Sequence, residues 1–486
     1  MKEYPPLWVA CVPLVLLVAL ISCVVGIFGD DALSGASQIA LIIATAVCVG
    51  IGLATQLITW NEFEEAISDK IGTIGQAIFI LLLIGALGGA WMVSGVVPTL
   101  ICYGMNIMHP QWFLLSACVI CAIVSVMTGS SWTTVATIGI ALMGIGQALG
   151  YNEGWIAGAV LSGAYFGDKI SPLSDTTVLA SSTVGTPLFD HIRYMMYTTV
   201  PTLTITLLIF MVKGLMHDSV DVQQMTQVQE ALSQTFHISP WLLLVPILTF
   251  LMILRKKPAM AVLFIATLMG VCVAVAVQGD LLDRIAGEEI QGIARRFKGA
   301  MILVYGSTEV DTGVPELNDL VATRGMNGML GTIWLILCAT LFGAAMTATR
   351  MVDSIMKGIL RMVRGTTSLV ASTAFTGVFL NVVSADQYLS IILTSNIFQP
   401  VYKGNGYENR LLSRTCEDSA TVTSVLIPWN TCGMTQSSVL GVSTLMYAPY
   451  CFFCYLSPLM TILMAFLGYK IVRNPKMSRL KDEKMG

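Results

Sequence analysis

A charged run inside an apolar stretch, residues 167–177, restricts the fold of this chain more than any other feature. The run contains two carboxylates and one ammonium group, on Asp168, Lys169 and Asp175. A charge at the centre of a bilayer costs at least ~2.5 to 3.5 kcal/mol on insertion scales, so such residues usually face a cavity. Gly167 and Pro172 disfavour a regular helix through the run. A broken helix is therefore expected, with its freed backbone groups satisfied by protein or by a water-filled cavity.

Composition places the whole chain among membrane proteins. Over 486 residues, 55% are hydrophobic and 11% are charged, and the mean hydropathy is +0.77. The apolar stretches are long and continuous, which favours helices over the short alternating segments of a barrel. The sequence therefore predicts an all-α polytopic membrane protein with the lipid bilayer as its partner and no nucleic acid. The first apolar stretch, residues 7–28, is expected to be a retained helix and not a signal peptide.

The two halves of the chain resemble each other at an offset of about 250 residues. The matching segments are 75–90 with 331–345, 130–134 with 384–387, and 167–168 with 417–418. Chance similarity between two apolar sequences is the alternative explanation. The repeat predicts the following divisions: N-terminal membrane helices at 1–60, a first repeat at 61–212, a linker with two membrane helices and a long polar loop at 213–326, a second repeat at 327–472, and a basic cytoplasmic tail at 473–486.

The distribution of Lys and Arg predicts how the chain is oriented. Short basic segments occur at 255–257, 350–364 and 470–484, and the positive-inside rule assigns all three to the cytoplasm. Both termini are then cytoplasmic, and the two repeats run in opposite directions. Residues 279–326 are an exception, because their five Lys and Arg residues would lie outside. The rule weakens for long loops.

Several segments resemble a known transporter family. Residues 163–177, followed by Asp190-His191-Ile192-Arg193, resemble the signature of the NhaC family of sodium/proton antiporters. Thr312-Gly313, the segment 320–325 and the turn Trp429-Asn430-Thr431 are similar to other parts of that family. The resemblance covers essentially the whole chain. It implies membership of the ion-transporter superfamily, and hence an inverted-repeat secondary transporter with broken helices and re-entrant segments in the cytoplasmic membrane. Some relatives exchange malate and protons for lactate and sodium.

Sodium/proton exchange matches the chemistry of the charged run. Sodium prefers oxygen ligands, and the run supplies them on Asp168, Ser171, Ser174, Asp175, Thr176 and Thr177. Desolvation favours the protonated form of a carboxyl group and a bound cation favours the ionised form, so proton and sodium compete for one group. We expect sodium at Asp175 and Asp168, with Asp175 as the central ligand and proton carrier, because Asp168 adjoins Lys169.

The second half is predicted to complete the site. The candidates are Asn381, Ser384 and Asp386, which crowd one turn together with Gln387, and Asn430, which lies near a second interruption at Pro428. Glu417 and Asp418 follow Arg410 and Arg414. For these two acids, ion pairing at the membrane surface and a role in the site are both open.

Two further residues have alternative interpretations. Lys169 either pairs with Asp168 or Asp175 and holds the broken segment, or binds an organic anion or carries a proton. His191 lies where a loop enters the next span, so an interfacial role is expected, with pH sensing as the alternative.

The sequence thus predicts a transporter and not an enzyme. No Walker sequence occurs, so neither a nucleotide cofactor nor ATP-driven pumping is expected. The predicted activity is the exchange of sodium ions for protons. Exchange of organic anions of the malate and lactate type is the main alternative, and a passive ion channel is a remote one. A homodimer is left open.

Overall fold

The computed structural model describes residues 4–28, 35–217, 222–255, 257–314, 317–318, 321–361 and 363–471. The predicted basic tail at 473–486 lies outside these residues. So do Lys256 of the basic segment at 255–257 and Leu320 of the family-like segment at 320–325.

The described part of the chain is built from helices. Eight of them are long and apolar enough to cross a membrane. Two further helix pairs, Thr226–Thr235 with Pro240–Leu254 and Thr444–Tyr450 with Phe452–Phe466, pass the same test but are bent by 88° and 53°. Among the described residues the β pairing is limited to one isolated bridge between Thr308 and Thr323. The all-α polytopic membrane fold with broken helices is therefore confirmed.

The helices are numbered in chain order. Those of the first part, α1–α10, are Leu7–Phe28, Ala36–Ala54, Trp60–Val93, Val96–Ile107, Phe113–Thr128, Ser131–Thr134, Ile140–Ala148, Glu153–Ile170, Asp175–Val184 and Leu188–Leu215. The middle helices, α11–α15, are Val222–Thr235, Leu244–Leu254, Ala259–Val277, Gly279–Ala286 and Ile293–Tyr305. The last part contains α16–α23, which are Leu330–Ala348, Met351–Leu360, Thr366–Ser384, Gln387–Gly404, Asn409–Cys416, Thr431–Leu440, Thr444–Tyr447 and Phe452–Phe466. Two π-helical turns, Val135–Gly139 and Glu417–Thr421, follow α6 and α20.

Each half contains the same first break between two helices. Helix α5 ends at Gly129 and α18 ends at Ala385, and both residues are left-handed, with φ of 67° and 55°. The next residue then caps the following helix: the Ser130 Oγ accepts from the Thr133 N–H at 3.2 Å, and the Asp386 Oδ1 accepts from the Leu389 N–H at 2.8 Å. A left-handed residue followed by a side-chain N-cap stops one helix and starts another in a new direction.

A second break also occurs in both halves. Pro172 and Pro428 lie in short turns that lead into the helices α9 and α21. Those two helices end at left-handed glycines, Gly185 and Gly441, with φ of 71° and 70°. Proline removes a backbone donor and disfavours the continuation of a helix, and each of these two breaks contains one. Proline alone does not cause a break, because α1, α10, α19 and α23 each contain an interior proline.

The matched breaks correct the register of the repeat. Gly129 and Ala385, Pro172 and Pro428, and Gly185 and Gly441 are separated by one and the same number of positions. This offset pairs Asp168 with Ser424, whereas sequence comparison had paired Asp168 with Asp418. Side-chain contacts follow the new register: Ser131 donates to Asp168, and Ser424 donates to Gln387, the counterpart of Ser131. Apolar spans offer few distinctive residues for aligning the two halves of the sequence. The helix caps of the structure provide such positions.

Close packing between α5 and α8 holds the charged run in place. A Cβ atom at Gly163 would lie 2.1 Å from the Cys118 carbonyl oxygen, and one at Gly167 would lie 2.4 Å from the Ala122 carbonyl oxygen. The Ser125 hydroxyl also donates to the Ala164 carbonyl at 2.6 Å. Small residues allow membrane helices to approach each other this closely.

Hydrogen bonds stabilise the Thr312-Gly313 turn of the long polar loop. The Thr312 N–H and hydroxyl both donate to the Asn318 Oδ1 at 2.7 Å. The Gly313 N–H donates to Asp311 at 2.9 Å, and the Asn318 amide donates to the same carboxylate. These two donors hold the pKa of Asp311 below its usual range.

Candidate functional site

The breaks of the two halves meet at a cavity of about 740 Å³. Residues from the broken ends of five helices line it, namely Thr128, Ser130, Asp175, Asp386 and Thr431. Asp168, Thr176 and Gln387 also line the cavity, and Lys257 and Pro258 line it from the connection between α12 and α13. The cavity therefore brings together residues that are far apart in the sequence and come from both repeats.

Helix ends give this cavity its electrostatic character. The N-terminal ends of α6, α9, α19 and α21 contribute lining residues, and so does the C-terminal end of α5. Helix N-termini carry unpaired N–H groups and a partial positive charge, whereas C-termini carry unpaired carbonyls and a partial negative charge. Three carboxylates, those of Asp168, Asp175 and Asp386, offset the positive ends.

Asp168 links the first break to the second. Its Oδ2 accepts from the Ser131 N–H at 3.0 Å and from the Ser131 hydroxyl at 2.7 Å. Its Oδ1 accepts from the Ser174 hydroxyl at 2.6 Å. The side chain is only 7% exposed. Both oxygens of Asp168 are thus held by donors that belong to the ends of α6 and α9.

Asp175 has a different environment. It is the first residue of α9, and its side chain is exposed and lines the cavity. Among the described residues, none donates to or pairs with its carboxylate. The helix N-terminus favours the negative charge of this group. Asp175 therefore offers two carboxylate oxygens to whatever occupies the cavity.

The other predicted residues of the charged run are divided between the cavity and the backbone. The Thr176 hydroxyl lies 3.0 Å from the Ser174 hydroxyl, and Thr176 lines the cavity. The Ser171 hydroxyl donates to the Val126 carbonyl at 2.8 Å, and the Thr177 hydroxyl donates to the Lys169 carbonyl at 2.8 Å. Ser171 and Thr177 thus fasten the broken segment, while Thr176 lies with the two carboxylates.

In the second half, only one of the four predicted residues lines the cavity. This residue is Asp386, and Lys70 is close enough to act on it electrostatically. Asn381 donates to the Thr423 hydroxyl at 3.1 Å, and Asn430 donates to the Asn381 carbonyl at 3.1 Å. Ser384 donates to the Leu380 carbonyl at 2.7 Å. Asn381 and Asn430 thus join α18 to the segment around the second break, whereas Ser384 bonds within the end of α18.

Lys169 points away from the carboxylates that precede and follow it. It is fully buried and donates to the Asp418 carboxylate and, at 3.0 Å, to the Ser457 hydroxyl. The expected pairing of Lys169 with Asp168 or Asp175 is therefore wrong. Adjacent residues on a helix point in different directions, so Asp168 faces the cavity and Lys169 faces the second repeat.

Three residues for which a surface role was open or expected are in fact interior. Glu417 and Asp418 are 0% exposed, so ion pairing at the membrane surface is wrong for them. His191 is also fully buried, and its Nδ1 lies 2.8 Å from the Ser413 hydroxyl, so the interfacial role expected for it is wrong as well. Its neighbour Asp190 is exposed. The sequence placed these residues by their distance from apolar runs, which does not show which side of a helix is buried.

Sequence reasoning missed several residues around the site. Thr431 lines the cavity, Ser131 holds Asp168, and Thr198 and Ser457 contact Asp418. In the sequence Thr431 stands out only as part of the Trp429-Asn430-Thr431 turn. The constant offset between the halves makes it the counterpart of Asp175. Aligning the caps of the two halves would have identified it.

Comparisons with known proteins agree with this architecture. A model of the Na+/H+ antiporter family matches residues 6–185 and 163–469. The Na(+)/H(+) antiporter NhaC of Alkalihalophilus pseudofirmus is 39% identical over 409 residues, covering 84% of this chain and 86% of that protein. The malate-2H(+)/Na(+)-lactate antiporter of Bacillus subtilis is 34% identical over 452 residues, covering 92% and 93%. The arginine/ornithine antiporter ArcD of Halobacterium salinarum is 34% identical over 425 residues, covering 86% and 84%. This chain is therefore a multi-pass membrane protein that belongs to the Na+/H+ antiporter family.

Proposed function

We propose that this protein is a secondary active transporter that exchanges sodium ions for protons across the cytoplasmic membrane. One observation carries the proposal: the unpaired Asp175 carboxylate faces a cavity at the meeting point of the broken helices. The Thr176 hydroxyl and the Asp168 carboxylate lie beside it. Carboxylate and hydroxyl oxygens are the ligands that a hard cation such as sodium prefers.

In this mechanism Asp175 is the central sodium ligand and the proton carrier. Its carboxylate has no competing donor among the described residues, so either a proton or a sodium ion can neutralise it. Asp168 supplies a second negative charge but keeps its Ser131 and Ser174 donors. Asp386 adds a third carboxylate from the opposite repeat. Sodium and proton therefore compete for the same negative cavity.

Competition becomes antiport if the empty cavity cannot change its exposure from one side to the other. Burying an uncompensated carboxylate costs free energy, because the charge loses its hydration. A sodium ion or a proton on Asp175 removes that cost, so only the loaded forms cross readily. The proton gradient then drives sodium in the opposite direction.

The orientation of the chain in this proposal follows the Lys and Arg distribution. Lys257 lines the cavity and belongs to the basic segment assigned to the cytoplasm. The cavity of this conformation would then be reached from the cytoplasm, and both termini would be cytoplasmic. The matched breaks support the division into repeats at 61–212 and 327–472, joined by the linker at 213–326.

The proposal can be tested with purified protein in proteoliposomes. An acid-inside gradient is imposed, and a pH-sensitive dye reports its collapse when sodium chloride is added outside. We expect sodium to dissipate the gradient, with choline chloride as the control for ionic strength. Asp175→Asn should reduce the rate to that of empty vesicles, because asparagine is nearly isosteric and cannot carry a proton.

The matched control is Asp190→Asn, the same chemical change at an exposed position outside the cavity. This variant should exchange at the wild-type rate. If folded Asp175→Asn exchanges as fast as Asp190→Asn, Asp175 is not the carrier. If the wild-type protein does not respond to sodium when organic acids are absent, sodium/proton exchange is not its activity.

A second candidate function is exchange of small organic anions, favoured by the four helix N-termini at the cavity and by Lys257 in its lining. Helix N-termini bind carboxylate groups in several transporters. The relative from Bacillus subtilis is named as a malate-2H(+)/Na(+)-lactate antiporter. The same vesicles, loaded with lactate and diluted into malate, separate the two candidates. A response to sodium that requires both acids would establish anion exchange.

A further inference from the structure

A second group of buried ionisable side chains does not line the cavity and is not used by the proposed mechanism. The group is defined here as the buried cluster and consists of Lys169, Arg414, Glu417 and Asp418. All four side chains are 0% exposed. Glu417 and Asp418 begin the π-helical turn Glu417–Thr421. A π turn interrupts regular helix bonding and often marks a functional position.

Three members of the buried cluster are paired with one another. Asp418 accepts from the Lys169 ammonium and, at 3.1 Å, from the Thr198 hydroxyl. The Arg414 Nε lies 3.8 Å from the other oxygen of Asp418, and the Arg414 guanidinium lies 4.7 Å from the centre of the Tyr194 ring. One carboxylate therefore serves two buried cations.

Glu417 is the member of the buried cluster that has no such ion pair. Neither of its carboxylate oxygens has a hydrogen-bond partner among the described residues, and the Thr421 hydroxyl, one helical turn later, also has none. A buried carboxylate without donors is costly in its ionised form. The charges of the cluster have the opposite effect and favour an ionised Glu417, because the two positive charges of Lys169 and Arg414 exceed the one negative charge of Asp418. Burial without hydrogen-bond donors thus favours a protonated Glu417, and the surrounding charges favour an ionised one.

The charged groups that face Glu417 come from few elements. Asp168 and Lys169 act on it from α8, and Asp418 and Arg414 belong to its own segment. Of the helices packed against the π turn, α18 and α23 contain no charged residue, α19 contains only Lys403 in its last turn, and α9 contains only Asp175 in its first. From α10, His191 lies on the Lys169 side of the cluster.

We propose that Glu417 is a second proton-binding group, separate from the cavity carboxylates, and that a proton on it opposes cation binding in the cavity. The proposal rests on the sodium/proton exchange proposed above. A proton on Glu417 leaves the buried cluster with a net positive charge next to Asp168. Loss of that proton makes the cluster neutral and favours a sodium ion at Asp168 and Asp175. Proton and sodium are then coupled through Lys169 and Asp168, which are neighbours on one helix.

The first test is the pH dependence of the sodium KM in proteoliposomes. Each proton that must leave before sodium binds raises the KM by up to about tenfold for every unit the pH falls. Glu417→Gln fixes the group in its neutral form. Its KM should match the wild type in acid, exceed it in alkali, and vary less steeply with pH. Glu408→Gln is the matched control, because Glu408 pairs with Arg410 at a partly exposed position. Its profile should follow the wild type, and a wild-type profile for Glu417→Gln would overturn the proposal.

The second test does not depend on transport. Infrared difference spectra between acid and alkaline buffer should contain the carbonyl band of a buried carboxylic acid. Glu417→Gln should remove this band, whereas Asp175→Asn and Glu408→Gln should keep it, and Glu417→Asp should restore a shifted one. A band unchanged in Glu417→Gln refutes the assignment whether or not the protein exchanges sodium. Failure of the wild-type protein to respond to sodium, with the band assigned to Glu417, would instead count against the proposed function alone.

Discussion

At the scale of single residues, Asp168 and Asp175 show how two carboxylates in one cavity acquire different tasks. Asp168 is held by the Ser131 N–H, the Ser131 hydroxyl and the Ser174 hydroxyl. Asp175 is exposed to the cavity, with no such donor among the described residues. Hydrogen bonds to a charged group contribute about 1.5 to 3 kcal/mol each. Asp168 therefore stabilises the folded breaks, and Asp175 is left available to a ligand.

Substitutions of Asp168 and of Asp175 should differ in their effects on the stability of the protein. Asp168→Ala leaves the buried Ser131 N–H without an acceptor and should cost about 1 to 3 kcal/mol. Asp175→Ala removes no hydrogen bond or ion pair within the described protein, so it should cost only its interaction with the N-terminus of α9, about 0.3 to 1 kcal/mol, and lower the melting temperature less. Thermal unfolding in detergent measures both. Equal losses of melting temperature in the two variants would contradict the division of tasks.

The sequence predicted the residue types at the site better than their contacts. Its signal was the occurrence of Asp168 and Asp175 around Pro172 in an apolar stretch, and both residues line the cavity. It also gave Asp175 the leading role, but for the wrong reason, since Lys169 pairs with Asp418 and not with Asp168. That pairing joins residues far apart in the chain, and one-dimensional spacing carries no information about such a contact.

At the scale of helices, the position of the charged run depends on how closely α8 approaches α5. At Gly163 a Cβ atom would lie 2.1 Å from the Cys118 carbonyl oxygen and 3.0 Å from the Cys121 Cβ. The first contact is with backbone, which cannot move aside as a flexible side chain would. Any larger residue at position 163 must therefore push the two helices apart and displace Asp168 one turn later.

Gly163→Ala should accordingly destabilise the protein by about 1 to 3 kcal/mol or more. It should also weaken sodium affinity, because the contact of Ser131 with Asp168 joins α8 to the segment that directly follows α5. Gly88→Ala is the control, since Gly88 is a helical glycine with open space around its Cβ position. Alanine has the higher helix propensity, so Gly88→Ala should be neutral or stabilising. Melting temperature and sodium affinity are measured for both, and similar results for the two variants would rule out close packing as the reason.

Helix breaks were predictable at proline but not elsewhere. Pro172 and Pro428 gave clear signals, and both lie in breaks. The earlier breaks at Gly129 and Ala385 were only suggested by polar residues nearby. Ala385 has a left-handed conformation that alanine rarely adopts. Such a conformation persists because the surrounding structure imposes it, so the residue type alone does not predict it.

At the scale of the whole molecule, hydropathy was sufficient to predict the fold class, because each membrane helix must satisfy its own backbone groups. Hydropathy did not give the register of the repeat. Most of each span is apolar whichever residues are aligned, and only the caps and prolines fix the offset.

The proposed orientation makes the accessibility of the cavity a whole-molecule prediction. Ala259 lines the cavity beside Lys257, and Glu288 is exposed in the loop at 279–326. A membrane-impermeant thiol reagent should label Ala259→Cys only in inverted vesicles and Glu288→Cys only in intact cells. Mass spectrometry distinguishes these sites from the twelve native cysteines. Labelling of both positions from the same side would contradict the assigned topology.

The Lys169–Asp418 ion pair connects the two halves through fully buried charges. Charges removed from water are stable only when paired, and removing one partner of a buried pair costs about 3 to 5 kcal/mol. The costs should be unequal here. After Lys169→Met, Asp418 keeps Arg414 at 3.8 Å. After Asp418→Asn, Lys169 and Arg414 both lose their carboxylate.

We therefore expect Asp418→Asn to lower the melting temperature more than Lys169→Met. Adding Lys169→Met to Asp418→Asn should recover part of the loss, because it removes one of the two unpaired cations. A double-mutant cycle in detergent measures this coupling, and thermal unfolding is followed for the wild type, both single variants and the double variant. Arg255→Met replaces a cation outside the buried cluster, so in combination with Asp418→Asn it should recover nothing. Strictly additive losses for Lys169→Met and Asp418→Asn would mean that the pair does not stabilise the contact between the two halves.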